Sequence, residues 1–151
     1  MSKVTLESWF PTVIGYAFNP DHDLLSAKLI ERCHRLRSKV KSGGDYWLSS
    51  ATYNTSDGNH DCFDDEDFSQ LNQWVELQVN SYVEQLQIKK PIMPLSSWFN
   101  VYDQGTFQDF HVHPGATISA IYFLDCQEDC ARVIFKTPKN NMFMLEHEQL
   151  N

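Results

Sequence analysis

The chain has 151 residues and a formal net charge of −8 at neutral pH, with 42% hydrophobic and 13% aromatic residues. This length and composition predict one compact globular domain, and the negative charge argues against a nucleic-acid partner, whose phosphates a binding protein must neutralise. No apolar run reaches the roughly 20 residues that a membrane-spanning helix needs, and the N-terminus lacks the basic-then-apolar pattern of a secretory signal. We therefore expect no membrane partner and a cytoplasmic location.

Two amphipathic helices are predicted in the first half of the chain. The first uses Asn19 as its N-cap and Pro20 as its first helical residue, and it ends in basic residues before Gly43 and Gly44. The second, over 66–87, follows an acidic run that suits a helix N-terminus and ends before a proline-containing segment. Apolar residues at three- and four-residue steps define both helices: Leu25, Leu29, Cys33, Leu36 and Val40 in the first, and Phe68, Leu71, Val75, Val79, Tyr82 and Leu86 in the second.

The segment between the helices has two parts. "DYWLSSATYNT" alternates loosely, as a strand does, and "SDGNHDCFDDED" is an acidic loop rich in turn residues. The order of its carboxylates does not follow that of a calcium-binding loop, so we expect a solvated loop.

The second half of the chain has the texture of a β structure. Short runs of β-branched and aromatic residues, separated by turn signals, predict antiparallel strands of one curved sheet over about 95–137. Helices followed by strands indicate an α+β fold in which the helices pack on one face of a sheet or open barrel. We divide the single domain 1–151 into a helical buttress (1–90), a β-rich core (91–140) and a charged tail (141–151).

Four cysteines lie without the spacing of a disulfide scaffold, and in a reducing cytosol we expect most of them to be free thiols. Cys126 and Cys130 are three residues apart, a spacing that could close a strand turn as a disulfide or contribute to a zinc site. The alternative is two ordinary small residues beside a hairpin loop.

A pair of histidines stands out in "FQDFHVHPGATISAIYFL". Side chains at i and i+2 of a strand point to the same face, so His111 and His113 are predicted to lie close enough to reach one metal ion. Neutral imidazole suits iron, zinc, copper and nickel. The alternative is a pair of surface or hydrogen-bonded core histidines.

The order of motifs around this pair resembles a family of 2-oxoglutarate- and Fe(II)-dependent oxygenases found in marine bacteria and in T4-like phages, including cyanophages. The resemblance lies in "WFN" (98–100), the turn "DQG", the step "FQ" and the run "HVHPGATISAIYFL". The stretches "WFPTVIGYAF" and "WLSSATYNTSDGNHDCF" also resemble the lead-in of that family. The resemblance implies a double-stranded β-helix, the jelly roll of cupins, with helices packed outside it.

The resemblance also implies a chemistry. Fe(II) would be the cofactor and 2-oxoglutarate the co-substrate, which is decarboxylated to succinate while a small-molecule or peptidyl substrate is hydroxylated. His111 and His113 would be the first two iron ligands. Asn100, Gln108 and Ser119 would bind the co-substrate or position the ligands, unless they are polar residues on outward faces. Trp98 and Tyr122 are expected in the core.

The end of the sequence departs from the family pattern, in which a further strand carries a distal histidine and an arginine pairs with the far carboxylate of 2-oxoglutarate. His147 is the only histidine after His113, and it lies in a charged setting. The resemblance leaves two alternatives: a truncated member that lacks the last strands, or a natural short variant in which His147 is the third iron ligand. We expect truncation and therefore little succinate, with open sheet edges that favour a homodimer. The basic candidates for the carboxylate are Arg132, Lys136 and Lys139.

Two other classes of function stay open. A non-catalytic, cupin-like metal-binding module would keep the two histidines and need no arginine. A phage structural or interaction domain would bind no metal, and a phage-encoded chain would act in the host cell cytoplasm.

Overall fold

The computed structural model describes residues 12–43, 52–56, 59–126, 130 and 132–136. Within these ranges the protein is α+β, with two helices and one two-stranded antiparallel sheet. The elements in chain order are α1 (His22–Arg37), β1 (Tyr53–Asn54), a 3₁₀ turn (Glu66–Phe68), α2 (Ser69–Gln85) and β2 (Asn100–Val101). No helix in the part of the chain described is long and apolar enough to cross a membrane.

Helix α1 forms where the apolar spacing predicts it, but its start differs from the prediction. The N-cap is Asp21 rather than Asn19, and the helix begins at His22. The Asn19 side-chain oxygen accepts a hydrogen bond from the Asp21 N–H at 3.0 Å, which is an Asx turn. Asn19 therefore directs the chain into the helix without capping it. The basic residues predicted at the C-terminus are present, with Arg35 and Arg37 in the last turn.

The second predicted helix is also confirmed, with its first three residues in the 3₁₀ turn. Asp65 is the N-cap of that turn, and its side chain accepts a hydrogen bond from the Asp67 N–H at 3.0 Å. The acidic run therefore satisfies donors that a helix start leaves unpaired. Helix α2 ends at Gln85, and Gln87 then adopts a left-handed backbone with φ 56°.

The hydrophobic core lies between the two helices. Buried residues of α1 pack against the 3₁₀ turn, the start of α2 and Cys62 of the preceding loop. Three half-buried residues of the second half, Phe99, Tyr122 and Leu124, pack against the same cluster. Burying a leucine or phenylalanine side chain fully contributes about 1.5–3 kcal/mol, so this cluster is the main source of stability among the described residues. Its buried members are Leu29, Cys33, Leu36, Cys62, Phe68 and Leu71.

The sheet pairs Tyr53 with Val101 and Asn54 with Asn100. The pairing of the two segments continues beyond these strands through mixed hydrogen bonds. Phe99 O accepts from the Thr55 N–H at 3.2 Å, and the Phe99 N–H donates to Thr55 Oγ1 at 3.3 Å.

Farther along, Ser97 O accepts from the Cys62 N–H at 2.9 Å, and the Ser97 N–H donates to Asp61 Oδ1 at 3.1 Å. Residues 97–101 are thus held along their length by residues 53–62.

Of the strands predicted over 95–137, the described residues contain only Asn100–Val101. Residues 107–124 contain no helix, but they are not paired in a ladder either. Apolar side chains in this stretch are exposed, with Val112 at 80% and Phe110 at 64%. The β propensity of such residues reflects packing against a neighbouring strand, and composition alone cannot supply that neighbour. The double-stranded β-helix and the division into buttress, core and tail stay predictions.

Candidate metal centre

Residues 97–101 present two different faces because successive side chains of an extended segment point in opposite directions. Phe99 faces the core, where its ring lies 5.8 Å from Tyr53 and 6.4 Å from Phe68 between centroids. Trp98 and Asn100 therefore lie on the opposite face, which we call the outer face. The candidate site is built on it.

The two histidines lie side by side, although residues 111–113 form no strand, which was the basis of that prediction. The His111 and His113 rings have centroids 5.0 Å apart and are nearly perpendicular, at 89°. The Trp98 ring contacts His113, with centroids 5.4 Å apart. The prediction that Trp98 lies in the core is wrong, because Phe99 occupies the inward position and the alternation turns Trp98 outward. Tyr122 does pack against the core, as predicted.

One hydrogen bond and one pKa shift bear on the two imidazoles. His111 Nδ1 lies 2.7 Å from the carbonyl oxygen of Asp109, which can only accept, so Nδ1 is the donor and Nε2 is the nitrogen left to meet a metal. The pKa of His113 is lowered from its ordinary value, first by burial and then by the neighbouring charge of His111. The direction of this shift favours the neutral imidazole, the form that a metal requires.

The spacing of the rings fits a shared ion. A metal about 2.1 Å from a ring nitrogen lies about 3.2 Å from that ring's centroid, so an angle of about 100° between the two nitrogens at the metal would put the centroids about 5 Å apart. The observed centroid distance of 5.0 Å agrees with this length. The described residues bring together no group of three or more histidine, cysteine or carboxylate side chains. His147 lies outside the described residues.

Two of the three predicted co-substrate residues meet on the outer face. Gln108 Nε2 donates to Asn100 Oδ1 at 3.5 Å, and the Tyr102 hydroxyl donates to Gln108 Oε1 at 2.5 Å. Ser119 is exposed and makes no hydrogen bond within the described part of the chain. The sequence reasoning missed Tyr102, although it is two residues from Asn100 and four from Trp98, the spacing of one strand face.

Two of the three basic residues proposed to bind the far carboxylate of 2-oxoglutarate lie among the described residues. Arg132 and Lys136 are both exposed, and Lys136 Nζ lies 5.7 Å from the centroid of the Phe110 ring. This cation–π contact brings a positive charge to the residue beside His111. Lys139 lies outside the described residues.

A second polar site lies on the loop that we expected to be solvated. Asp65 is buried, with a side chain only 4% exposed, 2.9 Å from Arg32 Nε and 2.9 Å from His60 Nε2. The His60 contact lacks the alignment of a hydrogen bond. Lys28 and Asp67 add an ion pair at 2.9 Å.

The expectation of a solvated loop is thus wrong for Asp65, because Arg32 reaches it from α1. The signal lay in the spacing of Lys28, Arg32 and Arg35, which places three cations along one side of that helix. Lys28 and Arg32 line a pocket of about 670 Å³, where they pair with Asp65 and Asp67.

The second half of the chain carries a family signature. Residues 96–151 match the model of a family described as "Putative 2OG-Fe(II) oxygenase". No curated protein and no solved structure gives a significant match to the chain. The matched residues include the outer face of 97–101 and both histidines, and the match supports the oxygenase family whose motifs the sequence resembles.

Proposed function

We propose that this protein is a 2-oxoglutarate- and Fe(II)-dependent oxygenase of the dioxygenase type, which hydroxylates a small-molecule or peptidyl substrate. One observation carries the proposal: the segment that matches the oxygenase family contains two imidazoles whose ring centroids lie 5.0 Å apart. The corresponding fold is a double-stranded β-helix, with α1 and α2 on its outside.

In this proposal His111 and His113 hold the iron. The Asp109 carbonyl orients the His111 ring and keeps its proton on Nδ1, as second-layer hydrogen bonds commonly do for ligating histidines. Trp98 contacts the His113 ring and can help to fix its position. Bound iron with 2-oxoglutarate supplies the oxidising chemistry of the reaction. His147 is the candidate for the third protein ligand.

The amides of the outer face are suited to the co-substrate. Asn100 and Gln108 each carry an NH₂ group that can donate to a carboxylate oxygen, and Tyr102 already holds the Gln108 oxygen. The far carboxylate of 2-oxoglutarate needs a cation, for which Arg132 and Lys136 are the exposed candidates. Ser119 is a further candidate for the co-substrate.

The first test is metal binding, measured by isothermal titration calorimetry with Fe(II) under anaerobic conditions. His111→Ala and His113→Ala should each weaken binding at least tenfold, since each removes one of few strong ligands. His34→Ala, at an exposed position of α1, is the matched control and should bind as the parent does. A parent chain that binds no iron would contradict the proposal.

The second test is turnover. Succinate formation from 2-oxoglutarate should require Fe(II) and oxygen and should be lost in both histidine variants. Binding of iron and 2-oxoglutarate without any succinate would instead favour the non-catalytic, cupin-like module. His147→Ala completes the series: a loss equal to that of His111→Ala assigns it as the third ligand, and unchanged binding rules it out.

A further inference from the structure

Residues 52–54 are fixed to the chain that follows α1. The Asn54 side chain is buried, and its Nδ2 donates to Gly43 O at 3.1 Å, while the Gly43 N–H donates to Asn54 O at 2.9 Å. The Tyr53 hydroxyl donates to Val40 O at 3.0 Å. A buried polar group whose hydrogen bonds are made holds its surroundings rigidly. Residues 52–54 are therefore a firm base for the groups that they contact.

This base holds the backbone of both amide residues of the candidate co-substrate site. Strand β1 pairs Asn54 with Asn100. Thr52 Oγ1 donates to Phe107 O at 3.2 Å. The carbonyl of Phe107 and the N–H of Gln108 belong to one planar peptide unit. The hydrogen bond from Thr52 therefore fixes the backbone from which the Gln108 side chain extends.

Gln108 is thus held at both ends. Its side-chain amide contacts the Tyr102 hydroxyl at 2.5 Å and Asn100 Oδ1 at 3.5 Å. Its backbone is held by Thr52, which is 7% exposed, so little water competes for that hydrogen bond. Contacts at both ends of a side chain restrict the direction in which its NH₂ group can point.

We propose that Thr52 is a positioning residue of the co-substrate site, which acts through the peptide between Phe107 and Gln108 to aim the Gln108 NH₂ group at 2-oxoglutarate. This inference rests on the proposed function. It also extends the site beyond residues 96–151, the part of the chain that matches the oxygenase family.

The two histidines are oriented by other contacts. His111 Nδ1 is bonded to the Asp109 carbonyl, and the His113 ring contacts Trp98. Loss of the Thr52 hydroxyl should therefore weaken the binding of 2-oxoglutarate and leave the binding of Fe(II) unchanged. This difference separates a positioning role from a general loss of the fold.

The test compares two variants that each remove one part of the side chain. Thr52→Val removes the hydroxyl and keeps the branched shape, whereas Thr52→Ser keeps the hydroxyl and removes the methyl group. Isothermal titration calorimetry measures 2-oxoglutarate binding to the Fe(II)-loaded chain under anaerobic conditions. Thr52→Val should raise the Kd of 2-oxoglutarate about tenfold, the effect of one lost hydrogen bond. Thr52→Ser should bind Fe(II) and 2-oxoglutarate as the parent does.

A second measurement needs no iron. In the isotope-labelled, metal-free chain, nuclear magnetic resonance follows the side-chain amide signals of Gln108, which are identified by their loss in Gln108→Glu. Thr52→Val should shift or broaden these signals, and Thr52→Ser should leave them in place. Leu71→Ala is the control for lost stability, because it opens a cavity in the helical core. Below its melting temperature, this control should retain the Gln108 signals and the affinity for 2-oxoglutarate of the parent.

The outcomes separate this inference from the proposed function. If the parent binds 2-oxoglutarate and Thr52→Val binds it equally well, the positioning role is wrong and the proposed function stands. Unchanged Gln108 signals in Thr52→Val, or equal weakening of 2-oxoglutarate binding by Thr52→Ser or Leu71→Ala, would likewise overturn the positioning role. A parent that binds no Fe(II) would overturn the proposed function, and this inference with it.

Discussion

The helical region and the described residues of 107–136 differ in how far their apolar side chains are buried. Leu29 of α1 is 1% exposed and Phe68 is 4% exposed, whereas Val112 is 80% exposed and Ile134 is 70% exposed. A helix forms its backbone hydrogen bonds within itself, and the spacing of its residues places apolar side chains in one stripe. That stripe needs only one facing surface to be buried. A β-rich segment needs a ladder partner first, and its apolar residues are buried only where that partner or the core supplies a surface.

The candidate site spans the boundary between these two regions. Trp98 and Asn100 belong to a segment held by residues 53–62 and by the core contact of Phe99. His111 and His113 belong to the segment that lacks a ladder within the described residues. The site therefore combines one firmly held face with a second face whose position depends on fewer contacts.

The largest expected effect is on the free energy of unfolding, when a buried apolar residue and an exposed one are each replaced by alanine. Leu29→Ala should lower the free energy of unfolding by about 2–5 kcal/mol, because it leaves a cavity in the packed core. Ile134→Ala should change it by less than about 0.5 kcal/mol, since that side chain is mostly exposed. Urea denaturation of both variants makes the comparison. Equal losses would mean that Ile134 is buried in solution.

A smaller difference in stability is expected between alanine variants of Phe99 and Trp98, two neighbouring residues on opposite faces. Phe99→Ala should cost roughly 2–3 kcal/mol of unfolding free energy, because the ring packs against the core. Trp98→Ala should cost about 1 kcal/mol or less, and it should weaken Fe(II) binding through His113 more than Phe99→Ala does. Denaturation and iron titration of the same two proteins separate the effects. A reversed order of stability losses would contradict the assignment of faces.

The smallest effect concerns the ion pair between α1 and the segment after β2, in which both terminal nitrogens of the Arg37 guanidinium donate to the Asp103 carboxylate. The hydrogen bond from Arg37 lowers the pKa of Asp103. A carboxylate with a lowered pKa stabilises the fold above its unfolded pKa of about 3.9, and this contribution disappears as the pH falls through the folded-state pKa.

Asp103→Asn should therefore lower the melting temperature slightly at pH 7, by an amount that shrinks towards zero under strongly acidic conditions. Thermal melts between about pH 2 and 7 measure this difference. Glu76→Gln, at an exposed position of α2, controls for the loss of one carboxylate. A difference that grows as the pH falls would have the wrong sign for this ion pair.

Sequence reasoning succeeded where the physics is local. The two helices follow from apolar spacing, because their hydrogen bonds join residues four apart. The rings of His111 and His113 are close, but not through the strand alternation from which this was predicted, because residues 111–113 form no strand. Sequence reasoning was less successful at helix boundaries. It predicted Asn19 as the N-cap of α1, but the N-cap is Asp21, because either side chain can accept a hydrogen bond from a backbone N–H near the helix start.

Sequence reasoning failed where a partner lies far along the chain. Asp65 is buried because Arg32, 33 residues earlier, pairs with it. Trp98 faces His113 because the helices cover the opposite face of its strand, a fact that aromatic composition does not contain. The absence of paired strands over 107–124 has the same cause, because the β propensity of a segment does not specify the strand with which it would pair.

Tyr122 has a consequence for the order in which the protein folds. Its hydroxyl accepts from Asn19 Nδ2 at 3.4 Å and lies 2.8 Å from His22 Nδ1, contacts that span 103 and 100 residues of sequence. Closing a loop of that length costs about 4 kcal/mol of chain entropy, against a far smaller cost for the contacts between α1 and the 3₁₀ turn. During synthesis the helical core can assemble while Tyr122 is still inside the ribosome. We therefore expect the segment that carries the two histidines to dock after the helices, onto a surface that has already formed.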